Sequence, residues 1–255
     1  MRSSRKAASR PRTGEAQNGS SIEPGNLLEV QDLDVRLGDT DVIRGVTFNL
    51  PRASCLAVIG PNGAGKTVML RALIGALPHA GRITWAADAV LGYVPQKLDI
   101  ERDLPLNGHD FLGAKAALAG SSGAMQAAAL RSVGLAEEVL ATPIGNMSGG
   151  QFQRLLIAFA LLGNPNVLLL DEPAAGIDAP GQAQLNEVIH GLQDTHGMTV
   201  LLVSHDLSVV YRYADSVLCL GPHGACFGPP RTALTPGTLE EVYGQPLGFH
   251  VHTHS

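Results

Sequence analysis

Lys66 and Thr67 close a run punctuated by glycine: Gly60, Pro61, Asn62, Gly63, Ala64, Gly65, with Val68 next in line. Spelled GPNGAGKT, it fits G-x-x-x-x-G-K-[ST], a pattern whose chemistry is phosphate binding. Glycines let the backbone come close to an anion, so that successive N–H groups point inward at it. A lysine then places a point charge on the β- and γ-phosphates, and the hydroxyl of Thr67 can ligate Mg²⁺. A second group of chemically able residues is Asp171 and Glu172, two adjacent carboxylates. Phosphoryl transfer needs one carboxylate to hold the metal and another to orient or deprotonate the attacking water. A third is Ser148, Gly149, Gly150 and Gln151. Ser148 with Gln151 three residues on has the form of a capping box. Two glycines directly after a cap each cost the helix about 1 kcal/mol relative to Ala. That cost makes sense if the exposed amides must touch a phosphate.

These groups need elements to hold them. Residues 56–59 form a short apolar run that predicts a buried strand ahead of the glycine turn, with a helix from about Lys66. Adjacent strand residues point to opposite sides, which would let Asp171 and Glu172 take separate roles. Residues 167–170 (VLLL) and 199–203 are continuously apolar, as central parallel strands should be, and end in Asp171–Glu172 and in Ser204–His205–Asp206. A helix over 179–196 and a strand over 216–220 complete a strand–helix–strand rhythm, which places ligands at carboxyl ends of strands. Residues 27–50 alternate polar and apolar around a turn at 38–41, predicting two or three antiparallel strands before the glycine turn. Residues 83–85 and 89–94 offer further strands, and 111–119 and 124–133 short helices. The stretch 97–163 reads as a helical lobe inserted into an α/β core.

Composition narrows the class. The 255 residues are 45% hydrophobic and 16% charged, with a formal net charge of −5 and 4% aromatics. Neither the charge nor the aromatic content suggests a nucleic-acid partner. No apolar run reaches the ~18–20 residues that cross a bilayer. No secretory signal is visible at the N-terminus. Residues 1–26 carry five basic side chains (Arg2, Arg5, Lys6, Arg10, Arg12) against Glu15 and Glu23, and read as a disordered basic tail. Cys55, Cys219 and Cys226 suggest free thiols in a reducing cytosol, without a paired framework. His223 and Cys226, flanking Gly224 and Ala225, read as surface loop.

In this order and spacing the motifs resemble the nucleotide-binding subunits of ATP-binding cassette (ABC) transporters, over about residues 27–228; Met147 stands where the family usually has Leu. The resemblance implies a P-loop NTPase parallel-sheet core with an N-terminal antiparallel β subdomain and an inserted helical subdomain. It implies an ATPase domain over 27–230 and an extension over 231–255. Asp171 resembles the family's magnesium acid and Glu172 its general base. Gln96, after Gly92-Tyr93-Val94-Pro95, resembles the glutamine that reaches the Mg²⁺ and the attacking water. His205 resembles the switch histidine on the γ-phosphate. Asp178 matches the loop that communicates across a dimer, and residues 148–151 the signature that meets ATP held by the other copy. The family usually stacks adenine on an aromatic, but that place is Leu37 here.

Within the family, residues 92–98, 104–106, 203–207 and 217–220 resemble the ATPase subunits of bacterial zinc and manganese importers. The implied partners are a second copy on ATP binding, integral membrane permease subunits and, through them, an extracytoplasmic metal-binding protein. The implied place is the cytoplasmic face of the membrane. His250, His252 and His254 alternate at the end of the chain and could share a Zn²⁺. An ABC ATPase for another solute, or one serving iron–sulfur cluster assembly, is the alternative.

Overall fold

The computed structural model describes residues 22–98, 105–222 and 224–244. The expected tail contributes only its last residues, and Leu104, His223, His250, His252 and His254 lie outside the described residues.

β1 (Asn26–Leu37) and β2 (Thr40–Pro51) form an antiparallel hairpin closed at Leu37↔Thr40. β3 (Cys55–Ile59) runs into the glycine turn and α1 (Lys66–Leu73). β4 (Ala80–Trp85) then returns to β1, giving a three-stranded sheet in the order β2-β1-β4. The antiparallel unit is thus finished by a strand that follows the glycine turn, whereas the alternation pattern placed all its strands before it. β5 (Leu91–Val94) instead enters a second sheet.

The helical lobe comprises α2 (Gly108–Ala119), α3 (Gly123–Ser132), two short 3-10 turns, and α4 (Gly149–Leu161). Asn107 caps α2 reciprocally with Asp110, and Ser122 caps α3. After α4 the chain alternates: β6 (Val167–Asp171), α5 (Ala179–His196), β7 (Thr199–Val203), α6 (Leu207–Tyr213), β8 (Ser216–Gly221), β9 (Gly224–Gly228), α7 (Pro230–Ala233) and α8 (Pro236–Tyr243). The second sheet has the order β5-β6-β7-β3-β8-β9, parallel throughout except for β9, which pairs antiparallel with β8.

Every residue of β3, β6 and β7 is buried, as expected of strands covered on both faces. Alternation splits them between cores. Leu168, Leu170, Val200 and Leu202 pack with Leu112, Leu155 and Ile157 of the helical lobe. Leu56, Val58, Leu169 and Leu201 pack with α1 and the antiparallel sheet. Ala57, Ile59, Val217 and Cys219 meet Leu239 and Val242 of α8.

Two cysteine expectations are corrected. Cys219 and Cys226 are joined in a disulfide rather than free. Cys226 lies in strand β9 rather than in a surface loop, because β8 turns back on itself and Cys219↔Cys226 become a cross-strand pair. Cys55 alone is a free, buried thiol.

Candidate functional site

β3 and β7 end side by side (Val58↔Val203), and β6 flanks β7 (Asp171↔Val203), so the glycine turn, Asp171–Glu172 and His205 emerge at one edge. Gly60, Gly63 and Gly65 have φ of 152°, 83° and 92°. Such conformations are open to glycine and strained for other residues. Packing restricts two of them further. A Cβ on Gly60 would lie 2.2 Å from the Leu220 carbonyl oxygen, and one on Gly65 would lie 2.7 Å from Ile43 Cδ1 and 2.8 Å from Val42 Cγ1. The turn is tightened by the Ala64 amide, which donates to the Pro61 carbonyl at 3.2 Å.

Lys66 is buried, with Nζ donating to the carbonyls of Gly60 (2.9 Å) and Pro61 (3.0 Å) and lying 3.7 Å from Glu172 Oε1. Burial pushes its ammonium below the ordinary lysine value, while Glu172 and Asp171 pull in the opposite sense. A cleft of about 730 Å³ opens here. Asn62, Gly63, Gly65, Lys66, Thr67 and Val68 form one wall, Gln96, Glu172 and His205 another, and Leu37 with Val42 an aliphatic end.

Glu172 is the hub of this cleft. Gln96 Nε2 donates to its Oε2 at 2.7 Å, and His205 Nε2 lies 2.5 Å from its Oε1. Glu172 does not diverge from Asp171 by strand alternation, as expected, but by a left-handed backbone (φ 48°) immediately after β6. That turn, held by its amide donating to the Val203 carbonyl at 3.2 Å, sends the side chain into the cleft.

Asp171 stays on the strand, 1% exposed, and neither carboxylate oxygen makes a hydrogen bond of regular geometry. Burial pushes this carboxyl above its usual range and Glu172 adds repulsion; the Thr67 hydroxyl, Arg71 and Lys66 act the other way. Buried oxygens without a hydrogen bond of regular geometry, beside a threonine hydroxyl, suit a hard divalent cation that takes oxygen ligands. The residues expected to hold Mg²⁺ therefore fit it chemically.

Residues 148–151 form the other constellation. Ser148 Oγ accepts from the Gln151 amide at 3.2 Å and the Ser148 amide donates to Gln151 Oε1 at 2.9 Å, so the capping box is complete. Ser148, Gly149 and Gly150 line a separate cavity of about 400 Å³ together with Asp178, which caps α5 through the Gly181 amide. None of the residues lining this cavity also lines the Lys66 cleft. Pattern reading missed three contributors. Arg154, one helical turn beyond Gly150, donates to its carbonyl at 3.3 Å, a partner that the i, i+4 spacing signals. Val42 lines the base of the cleft with no signal beyond strand alternation. Tyr243 of α8 has its hydroxyl against the Gly60 backbone, which partly offsets the upward push of burial. Nothing in the sequence signals it.

The profile of the ABC transporter family matches residues 43–175, from β2 through the glycine turn and residues 148–151 to Asp171–Glu172. The chain belongs to the ABC transporter family. Curated relatives of this ABC transporter chain include the zinc import ATP-binding protein ZnuC of Pseudomonas putida, 38% identical over 235 residues, covering 90% of each chain. The protein of the same name from Cereibacter sphaeroides is 39% identical over 219 residues, covering 86% of this chain and 88% of its own. Among solved structures, a chain of an ABC transporter in an inward-facing conformation superimposes with a TM-score of 0.79 at 25% identity, over 87% of this chain and 90% of that one. Among the described residues, no helix is long and apolar enough to cross a membrane.

Proposed function

We propose that this ABC transporter chain is the ATP-hydrolysing subunit of a zinc importer. The observation that carries the substrate is the near full-length similarity to zinc import ATP-binding proteins at 38–39% identity. ATP lies with its phosphates over the turn from Gly60 to Val68, Lys66 beside the β- and γ-phosphates and the base toward Leu37 and Val42. Thr67, Gln96 and Asp171 would hold Mg²⁺, which would neutralise charge on the phosphates. Water bound at Glu172 gives its proton to that carboxylate as its oxygen attacks the γ-phosphorus. The β–γ bridging P–O bond breaks, and ADP and phosphate result. Gln96 and His205 orient the Glu172 carboxylate through their contacts with its two oxygens.

A single chain separates its phosphate turn from residues 148–151, which supports a head-to-tail pair with each ATP between the turn of one copy and Ser148, Gly149, Gly150 and Gln151 of the other. Asp178, beside that signature, senses the partner. The pair drives separate permease subunits from the cytoplasmic face of the membrane, and an extracytoplasmic metal-binding protein delivers the ion. Residues 27–230 serve as the ATPase domain, with the groove between the Gln96 region and residues 97–118 of the helical lobe as its docking surface, and the tail histidines His250, His252 and His254 are candidates to share a zinc ion.

Glu172→Gln tests the assignment. It should bind ATP, accumulate as a dimer on size exclusion and lose hydrolysis; rapid turnover by this variant refutes it. The substrate is tested by co-purification from membranes and by uptake of labelled zinc, which should stop on deletion of the chain.

A further inference from the structure

The wall behind the phosphate turn carries a pair of cysteines. Cys219 on β8 and Cys226 on β9 are opposite one another in the antiparallel ladder, 4.8 Å apart at Cα, and disulfide-bonded. Cys219 is fully buried, whereas Cys226 is half-buried on β9, the last strand of the sheet among the described residues. Cys55 differs: burial pushes its thiol up to about 12, which leaves it unreactive.

The hairpin lies against the phosphate turn directly on one side and reaches it only through β2 on the other. On one, Cys219 is in register with Ile59, the last residue before Gly60, and the next carbonyl, of Leu220, closes on Gly60 itself. On the other, Phe227 meets Phe48 of β2, ring centroids 6.3 Å apart. β2 supplies Val42 and Ile43, the side chains that abut Gly65. β8 thus borders the Gly60 end of the turn, and β9 connects through β2 to the Gly65 end.

We propose that Cys219 and Cys226 form a reversible dithiol–disulfide site whose oxidation stiffens the back wall of the phosphate-binding turn. The effect on ATP rests on the reading of that turn as its site. The oxidant is a low-molecular-weight disulfide of the glutathione class. Cys226, reachable from the sheet edge, gives up its proton and attacks one sulfur of that disulfide, releasing one thiol and forming a mixed disulfide. The Cys219 thiolate then attacks Cys226 Sγ and releases the second thiol. Two protein thiols are oxidised and one small disulfide is reduced to two thiols. A disulfide facing a reducing compartment is more often regulatory than structural, and exposure of one partner at an edge makes the bond accessible to reversal.

The test uses the full chain, equilibrated over a series of reduced-to-oxidised glutathione ratios. Alkylation and peptide mapping should show one bond, between Cys219 and Cys226, reversed by dithiothreitol, with Cys55 free throughout. In the same samples the affinity for a fluorescent ATP analogue should be several-fold tighter, and the melting temperature higher, when oxidised. Cys226→Ser should keep the affinity of the reduced form at every ratio, and Cys226→Ala should do the same if the serine variant fails to fold. Thiols that stay free in the most oxidising mixture, or only glutathione trapped on one cysteine, overturn the proposal. A bond that forms while ATP affinity stays equal in both states overturns this proposal alone. Failure to bind ATP in either state overturns the ATP reading as well.

Discussion

Gln96 Nε2 donates to Glu172 Oε2 at 2.7 Å, joining two residues 76 positions apart. The contact exists because β5 and β6 are parallel neighbours, with Val94 opposite Leu170, so that the turns beyond both strands rise together. Gln96→Ala should therefore lower kcat by about 10- to 100-fold through misplacement of the carboxylate, with a smaller loss of Mg-ATP affinity from the missing metal contact. Steady-state hydrolysis and equilibrium binding on the same preparation check this. A parallel loss in both would mean that Gln96 serves binding and not orientation.

Asp171 has the opposite environment, a sealed carboxylate whose affinity for protons burial has raised. Where the folded chain binds that proton more readily than the unfolded chain, stability increases as pH falls toward the unfolded value and decreases as pH rises through the raised folded value. The destabilisation is complete above the folded value. Asp171→Asn should thus melt higher than the parent in magnesium-free buffer at about pH 8, with the gap closing toward about pH 4. Differential scanning calorimetry across that range decides it. The same variant should hydrolyse no ATP at any pH.

The glycines of the turn should not be equally sensitive. Gly60→Ala drives a Cβ into the Leu220 carbonyl at 2.2 Å, whereas a Cβ on Gly63 meets nothing within 4 Å. Gly63→Ala should cost only its left-handed backbone, about 1–2 kcal/mol. Gly60→Ala should cost more, with overpacking adding roughly 1–3 kcal/mol. Urea unfolding of the two variants gives the order directly.

Leu37 is 43% exposed and lies at the aliphatic end of the cleft with Val42. If the base rests there, Leu37→Tyr supplies the stacking that an aliphatic face lacks, on the order of 1–3 kcal/mol. The ATP Kd should fall by about tenfold, measured by titration calorimetry. An unchanged Kd would place the base elsewhere.

What could be read from the chain alone was whatever depends on local spacing. The strand–turn–helix around Lys66, the capping box at Ser148 and Gln151, and the helix over 179–196 all follow from patterns a few residues long. Pairing partners did not follow. Residues 83–85 and 89–94 look alike as strand material, yet β4 joins β1 while β5 joins β6, since periodicity does not say which edge a strand finds. β9 escaped because its glycines read as a turn, and its partnership with β8 depends on the hairpin closing. With it went the cysteine pairing. The contact of Tyr243 with Gly60 crosses the whole domain, and the left-handed backbone of Glu172 has no compositional sign, because the residue there is not glycine.

The placement of Ser148 and Lys66 on cavities without a common residue bears on kinetics. In the proposed head-to-tail pair each copy would supply half of two reaction chambers and the whole of none, so in dilute solution turnover should grow with the square of protein concentration and become linear once pairing saturates. Mixing in copies defective only at Gly149 would then leave one intact chamber in every mixed pair, so activity should fall only in proportion to the share of intact copies.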